Sequence, residues 1–308
     1  MIMRKKYSLT LILIFAANLS YCDNEEKLSL YMYEDTRQLV SLVEDAATLI
    51  EEKGEEAFKD FSVKNSKWFN DKYYLFVYDT TAKCVFHPIE PYLVGQDMSQ
   101  FKDLDGRPVI MMIADVGKKP QPKESGWVFY LWEEPWKLPI PCWKSSYLRK
   151  AIAPDGIVYV VGSGLYNMKK EKAFIQEHVD MAAELIMTKG KDVAFAKLGD
   201  RSCVLHVLDA YITVQDSKGD IVVDPAFPTL TEKRNMSNFV DKTGRNITQE
   251  VVNGLKNKDC TWIMYIWPSG DANRLARHML YVRKIKIDNE IFYVYADLVP
   301  ATPIWMKR

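Results

Sequence analysis

The chain says the same thing twice. Trp127-Val128-Phe129-Tyr130-Leu131-Trp132 returns as Trp262-Ile263-Met264-Tyr265-Ile266-Trp267, with Trp, Tyr and Trp each displaced by 135 positions. Tryptophan supplies only 8 of the 308 residues, so chance does not explain recovering both indoles and the phenol between them. The flanks follow. Val77-Tyr78-Asp79 with Pro88 matches Val214-Gln215-Asp216 with Pro225, and Tyr147-Leu148-Arg149-Lys150 matches Tyr281-Val282-Arg283-Lys284. The strand around Val160 is aligned with the one around Val294. The period is too long for a solenoid, whose repeats run to roughly 50 residues. Two copies of one globular domain is the reading that remains, and the length suits two domains.

Balanced charge, 41 basic against 41 acidic residues, leaves no global field to recruit nucleic acid or an anionic membrane. There is no Gly-rich phosphate loop and no cofactor motif. Arg4-Lys5-Lys6 followed by the apolar Leu9–Ala17 reads as a targeting leader over residues 1–22, too short to span a bilayer comfortably. Cleavage ahead of Asp23 is one fate. Lipid attachment at Cys22 is another, since Leu19-Ser20-Tyr21-Cys22 resembles a lipobox, although Tyr21 sits where a small residue is expected; an uncleaved anchor is the third. The expected location is periplasmic or secreted, with membrane contact only through that start. Cys84, Cys142, Cys203 and Cys260 form no Cys-x-x-Cys pair and occupy no equivalent places in the two copies. Buried thiols or one incidental disulfide are expected rather than redox chemistry.

Within each copy the hydrophobic period changes once. Leu39, Val43, Ala46 and Ile50 form an apolar stripe, predicting a long helix from Lys27 to about Ser62, interrupted at Gly54. Ile175, Val179, Ala182 and Ile186 repeat it before Gly190. Period two then takes over. Strands are predicted at Tyr73–Asp79, Val85–His87, Gly126–Trp132, Trp143–Lys150 and Ile157–Gly164, with a polar helix or loop after the Asp105-Gly106 turn. One helix ahead of an antiparallel sheet is an α+β layout. The domains are read as 27–168 and 169–308, joined at the charged Lys169-Lys170-Glu171-Lys172.

The order of these pieces carries a resemblance: a long helix, Tyr73-Tyr74-Leu75-Phe76-Val77-Tyr78-Asp79, His87-Pro88, Asp105-Gly106, Gly126-Trp127, Lys144 to Tyr147, and Gly162-Ser163-Gly164. It resembles the Cache domain of bacterial chemoreceptors and sensor kinases, particularly the single-Cache type. The match is better over Asp35–Tyr166 than over Glu171–Val299. The resemblance implies tandem PAS-like domains, each a long N-terminal helix packed on an antiparallel sheet, with a small-molecule pocket on the sheet's other face. Such proteins usually carry a membrane span and an output domain. None is seen in this sequence, so a sensor of this kind is expected to signal through a separate membrane-bound partner.

Strand alternation indicates where a ligand would sit. Leu75 and Val77 match Ile212 and Val214, apolar in both copies, which makes that the core face. Tyr74, Phe76 and Tyr78 match Tyr211, Thr213 and Gln215, aromatic in one copy and polar in the other. Phe76, Tyr78, Tyr130 and Trp132 are therefore the candidate walls of a ligand site in the first copy, and aromatic walls with polar tips are what such pockets use. Lys144, matched by His278, is its candidate charge for a ligand carboxylate. Small organic acids or amino acids are the expected ligands, although the first copy offers no acidic partner for an amine. The second copy is read as degenerate. Packing of the same aromatics as plain core, in a scaffold without ligand, is the rival reading. A hydrolase using His87 is a weaker one, because His87-Pro88 matches Asp224-Pro225 and a turn role suits both residues. No catalytic residue is assigned. The four histidines have no metal-ligand spacing, and Ser163, matched to Asp297, is not a nucleophile elbow.

Overall fold

The structure, a computed structural model, describes residues 25–135, 137–231, 233–268 and 274–300. The leader and Cys22 lie outside the described residues. The first repeat runs α1 (Glu34–Lys53), a 3-10 turn (Gly54–Glu56), α2 (Ala57–Phe61), β1 (Phe76–Asp79), β2 (Cys84–Phe86), α3 (Val109–Lys118), β3 (Ser125–Glu133), β4 (Pro141–Ile152) and β5 (Val158–Tyr166). The second runs α4 (Lys172–Lys189), α5 (Lys191–Gly199), β6 (Thr213–Asp216), β7 (Ile221–Val223), α6 (Ile247–Gly254), β8 (Cys260–Pro268), β9 (Leu275–Ile287) and β10 (Glu290–Leu298). The sheets have the orders β2-β1-β5-β4-β3 and β7-β6-β10-β9-β8, antiparallel throughout. Both first strands shift register at the same place, Val77/Tyr78 and Val214/Gln215. The chain is α+β, two tandem PAS-like units.

Each long helix lies on one face of its sheet because its stripe is apolar. Leu39, Val43, Ala46 and Ile50, and likewise Ile175, Val179, Ala182 and Ile186, are fully buried. Burying one such aliphatic side chain contributes about 1.5–3 kcal/mol, several times the differences in helix propensity, so packing decides. A carboxylate on the helix then ties down the fourth strand. Glu44 accepts from Tyr147 (2.6 Å), Arg149 (3.0 Å) and Lys27 (2.7 Å). Asp180 holds Tyr281 (3.1 Å) and Arg283 (3.9 Å) in the same way. The lysine next along points through the sheet. Lys150 donates to the Lys119 carbonyl and Lys284 to the Leu255 carbonyl, each satisfying the C-terminal end of the helix on that side, α3 or α6. The repeated Tyr-x-Arg-Lys motif is thus a clamp between three layers.

Three expectations need correcting. The helix predicted over Lys27–Ser62 is divided. The N–H groups of Met32 and Tyr33, which an unbroken helix would use internally, donate instead to Glu171 at 2.8 and 2.9 Å, and Gly54 turns the chain with φ +60°. The segment after Asp105-Gly106 is a helix and is not polar: Val109, Ile110, Ile113, Ala114 and Val116 of α3 are buried. The alignment of the last strands is one residue off, since Val77 pairs with Val161 and Val214 with Val294. Gly164, opposite Ser146, therefore matches Asp297, opposite Leu280, and Ser163 matches Ala296.

The repeats share one core. Phe174 of α4 packs on Trp127 (ring centroids 4.5 Å apart) and Phe129 (5.1 Å), and Trp127 donates to the Tyr31 hydroxyl. Arg107, fully buried, stacks on Trp143 and donates to the Phe129 carbonyl at 2.7 Å, with the His206 carbonyl at 3.5 Å. Cys84, Cys142, Cys203 and Cys260 are free thiols.

Candidate functional site

The other face of each sheet is roofed by a short helix, α3 or α6, and the same positions are furnished differently in the two repeats. An aspartate clasp shapes both sites. Asp103 accepts from the N–H groups of Asp105, Arg107 and Leu131, and Asp241 from those of Thr243, Arg245 and Ile266. The clasp pins the loop before the roof helix to the third strand. Sequence reading found the Asp105-Gly106 turn but missed the residue that organises it, although Asp103 and Asp241 stand at matching places.

In the first repeat the structure brings the five sequence-derived residues together. Phe76, Tyr78, Tyr130, Trp132 and Lys144 line one space with His87, Ile110 and Ile113, and its volume is about 10 Å³. That is room for about one water molecule. The residues fill the site themselves. The Lys144 ammonium, 1% exposed, donates to the Tyr74 hydroxyl at 2.6 Å and lies 4.4–5.9 Å from the ring centroids of Tyr74, Tyr166, Phe76 and Tyr130. Its charge is met by a phenol oxygen and aromatic faces. Tyr130 bonds Ser146 at 2.9 Å, and Trp132 packs on Phe101. Gly162 is required here, because a Cβ would stand 2.5 Å from Leu148 and 2.7 Å from the Phe76 ring. Burial and the neighbouring Lys144 charge push His87 down to about 3. Its Nδ1 accepts from the Glu90 N–H, so it organises the loop as a neutral ring. Asp224, in the matching place, accepts from the N–H groups of Ala226 and Phe227.

The second repeat is open. A cavity of about 400 Å³ lies between its sheet and α6. Two exchanges on the first strand create it. Thr213 stands where the first repeat has Phe76, and Gln215 where it has Tyr78; both line the cavity. The ring lost from the first strand reappears on the last, where Tyr295 replaces Gly162 opposite Thr213. The floor is Tyr265, Trp267, Leu280, Val282, Tyr293, Tyr295 and Asp297, and Ile247, Thr248 and Val251 form the roof. Phe239 closes one side against Trp267 at 4.9 Å.

Charge differs as much as volume. The cross-strand pair Tyr130–Lys144 corresponds to Tyr265–His278, so His278 holds the place of the buried ammonium. Its Nδ1 lies 2.6 Å from Asp297 Oδ2. The Asp297 carboxylate extends from the position of Gly164, where any Cβ would meet Lys144 Cε at 2.8 Å. Lysine with glycine has been exchanged for histidine with aspartate. Burial and the Asp297 charge raise the Tyr265 phenol, which therefore stays a hydroxyl donor. Arg234 stands 3.8 Å from Asp224 at the rim, and Lys170 pairs with Asp209 at 2.6 Å. Among the described residues no group of three His, Cys, Asp or Glu is placed to hold a metal ion, and no helix is long and apolar enough to cross a membrane.

Comparison with domain-family profiles agrees with this architecture. The Cache domain profile matches residues 15–210, and the Single Cache domain 2 profile matches 165–289. Similar solved structures include the periplasmic sensor domain of a chemotaxis protein, 28% identical, covering 42% of this chain and 93% of that one with a TM-score of 0.36. A Cache chemosensory domain described for carboxylic acid recognition is 24% identical over 49% of this chain and 98% of its own, with a TM-score of 0.35. A methyl-accepting chemotaxis protein from Vibrio parahaemolyticus is 19% identical over 47% and 95%, with a TM-score of 0.34. The first profile spans more than half of the sequence, and the chain belongs to the Cache domain family of extracytoplasmic sensor domains.

Proposed function

We propose that this chain is an exported Cache sensor that holds a small organic ligand in its second repeat and passes its state to a separate membrane-bound signalling protein. The observation carrying this reading is the cavity of about 400 Å³ under α6, walled by tyrosine and tryptophan with a few polar groups converging on it. That size and lining are those of small-molecule sites. A non-enzymatic role fits the chemistry: His87 is a loop acceptor, and Ser163 is buried and donates to the Tyr74 carbonyl.

A thermal-shift screen of the purified protein against small acids, amines and amino acids tests the reading. A ligand at 100 times its Kd adds about 2.7 kcal/mol. Thr213→Phe and Gln215→Tyr together with Tyr295→Gly, which rebuild the first repeat's filling, should abolish any shift while the protein stays folded. Shifts that survive these substitutions, or none across the panel, would refute the second repeat as the site.

A second reading keeps Phe76, Tyr78, Tyr130, Trp132 and Lys144 as a carboxylate site that opens on binding. It is favoured by the buried Lys144 ammonium, whose hydrogen-bond partner is a phenol rather than a carboxylate. Loss of a carboxylate-induced shift in Lys144→Met is its test.

A further inference from the structure

The contact between the repeats is head to tail. The first repeat offers the outer face of its edge strand β3, and the second seats α4 on it: Phe174 packs on Trp127 and Phe129, and Phe129 is 1% exposed. A head-to-tail contact between two like units leaves one receiving face unused unless the assembly closes into a ring. That face is β8, the edge strand of the second sheet. Tyr265 and Trp267 turn toward the cavity, so Trp262, Met264 and Ile266 point the other way. They match Trp127, Phe129 and Leu131. Trp262 packs on Tyr281 at 5.1 Å as Trp127 does on Tyr147 at 5.2 Å. Met264, at the place of the buried Phe129, is 46% exposed.

The polar setting of this face is open as well. Buried Arg107 closes over β3 by donating to the Phe129 carbonyl. Its counterpart Arg245 turns outward to Glu250 at 2.9 Å, and no side chain among the described residues donates to the Met264 carbonyl. Ile266 pairs across the sheet with Arg277, whose guanidinium has no partner among the described residues. An exposed methionine between tryptophan and isoleucine, beside an unpaired arginine, is the composition of a protein interface. A second copy of this chain fits it poorly. The helix that copy would offer, α1, carries the exposed Gln38 where α4 carries Phe174. We infer that the outer face of β8 receives an amphipathic helix of another polypeptide, with an aromatic side chain seated against Trp262 and Met264 and a carboxylate on Arg277. The inference rests on the separate signalling partner of the proposed function and is independent of what the cavity holds.

Photocrosslinking tests it. The purified full chain carrying benzoylphenylalanine in place of Met264 is irradiated with detergent-solubilised membranes of the cells that make it, and the crosslinked peptide is identified by mass spectrometry. The expected result is an adduct with a helical segment that holds an aromatic and an acidic residue on one face. Excess unlabelled protein should suppress the adduct. Met264→Glu, which puts a carboxylate into the apolar seat, and Arg277→Glu, which repels the partner's, should each compete about tenfold less well or worse. The same probe at Val193 of α5, 60% exposed, should give no such adduct. A crosslink only to this chain itself, with a doubled mass in light scattering, would make the face a self-association surface and overturn the assigned partner. Adducts common to positions 193 and 264, competition unaffected by both substitutions, or no adduct at all would overturn the docking surface. None of these outcomes bears on the cavity, whose ligand is read by thermal shift.

Discussion

Lowering the pH should unfold this protein well before its carboxylates protonate, because three of its four histidines are buried as neutral rings. His206 is fully buried; its Nδ1 accepts from the Ile212 N–H at 3.1 Å, and Nε2 faces the Asp200 carbonyl at 3.0 Å. That pairing admits only the neutral tautomer, since a proton on Nδ1 would oppose another N–H. Burial depresses His178 and His206 to about 4 and His87 to about 3. The ordinary value is about 6.5. As the pH falls below that, the unfolded chain takes up protons that the fold refuses, so stability present near neutrality is lost through the window from about 6.5 down to about 3–4. At pH 5 each ring accounts for about 2 kcal/mol, and the three for about 6 kcal/mol, comparable with the whole stability of a typical domain. Glu51 and Glu177, raised by burial, act in the opposite sense and offset part of this loss. The assay is urea unfolding followed by tryptophan fluorescence at pH 7.5, 6 and 5. His206→Gln, which keeps an acceptor and a donor, should remove about a third of the loss. A midpoint that does not move between pH 7.5 and 5 would refute the reasoning.

Glu44→Ala leaves Arg149, whose side chain is 4% exposed, with Glu51 at 3.5 Å as its remaining carboxylate and should cost about 2–3 kcal/mol, whereas Asp180→Ala, at a pair more than a third exposed, should cost under about 1 kcal/mol; equal losses in denaturant melts would disprove the difference. Gly162→Ala drives a methyl into Leu148 and Phe76 and should cost about 1–3 kcal/mol, with Phe76→Leu in the same chain recovering part of it; strict additivity of the two would show that the ring is not the obstacle. Lys144→Met replaces a buried ammonium by an isosteric apolar chain and should leave thermal stability within about 1 kcal/mol or raise it; a large loss would mean the charge holds the first repeat together.

The helix stripes and core-facing strand residues were legible in the sequence because periodicity reports burial directly. Leu75, Val77, Ile212 and Val214 pack under the helices as their alternation requires. The duplication itself was carried by two tryptophans and a tyrosine. Less legible was everything that depends on a partner far along the chain. Nothing near Met32 says that Glu171, 139 residues on, will take its N–H and end the helical turn. Alternation groups the first repeat's aromatic residues on one face, but whether rings enclose a space or fill it depends on a few ångströms of backbone separation, which residue types do not encode. The exchange of Phe76 and Tyr78 for Thr213 and Gln215 was visible as a change of polarity. Its meaning as a change of volume needed the register that sets Tyr295 opposite Thr213.

Phe174 seated between Trp127, Phe129 and Tyr31 has a consequence for how this molecule can be handled. Severing the chain between β5 and α4 would bare that aromatic nest on one fragment and the matching phenylalanine on the other, and would strip the first fragment of the carboxylate that receives Met32 and Tyr33. The halves, although copies of one another, are no longer interchangeable parts. Each has become a piece of the other's interior, and fragments expressed alone should aggregate where the intact protein stays in solution.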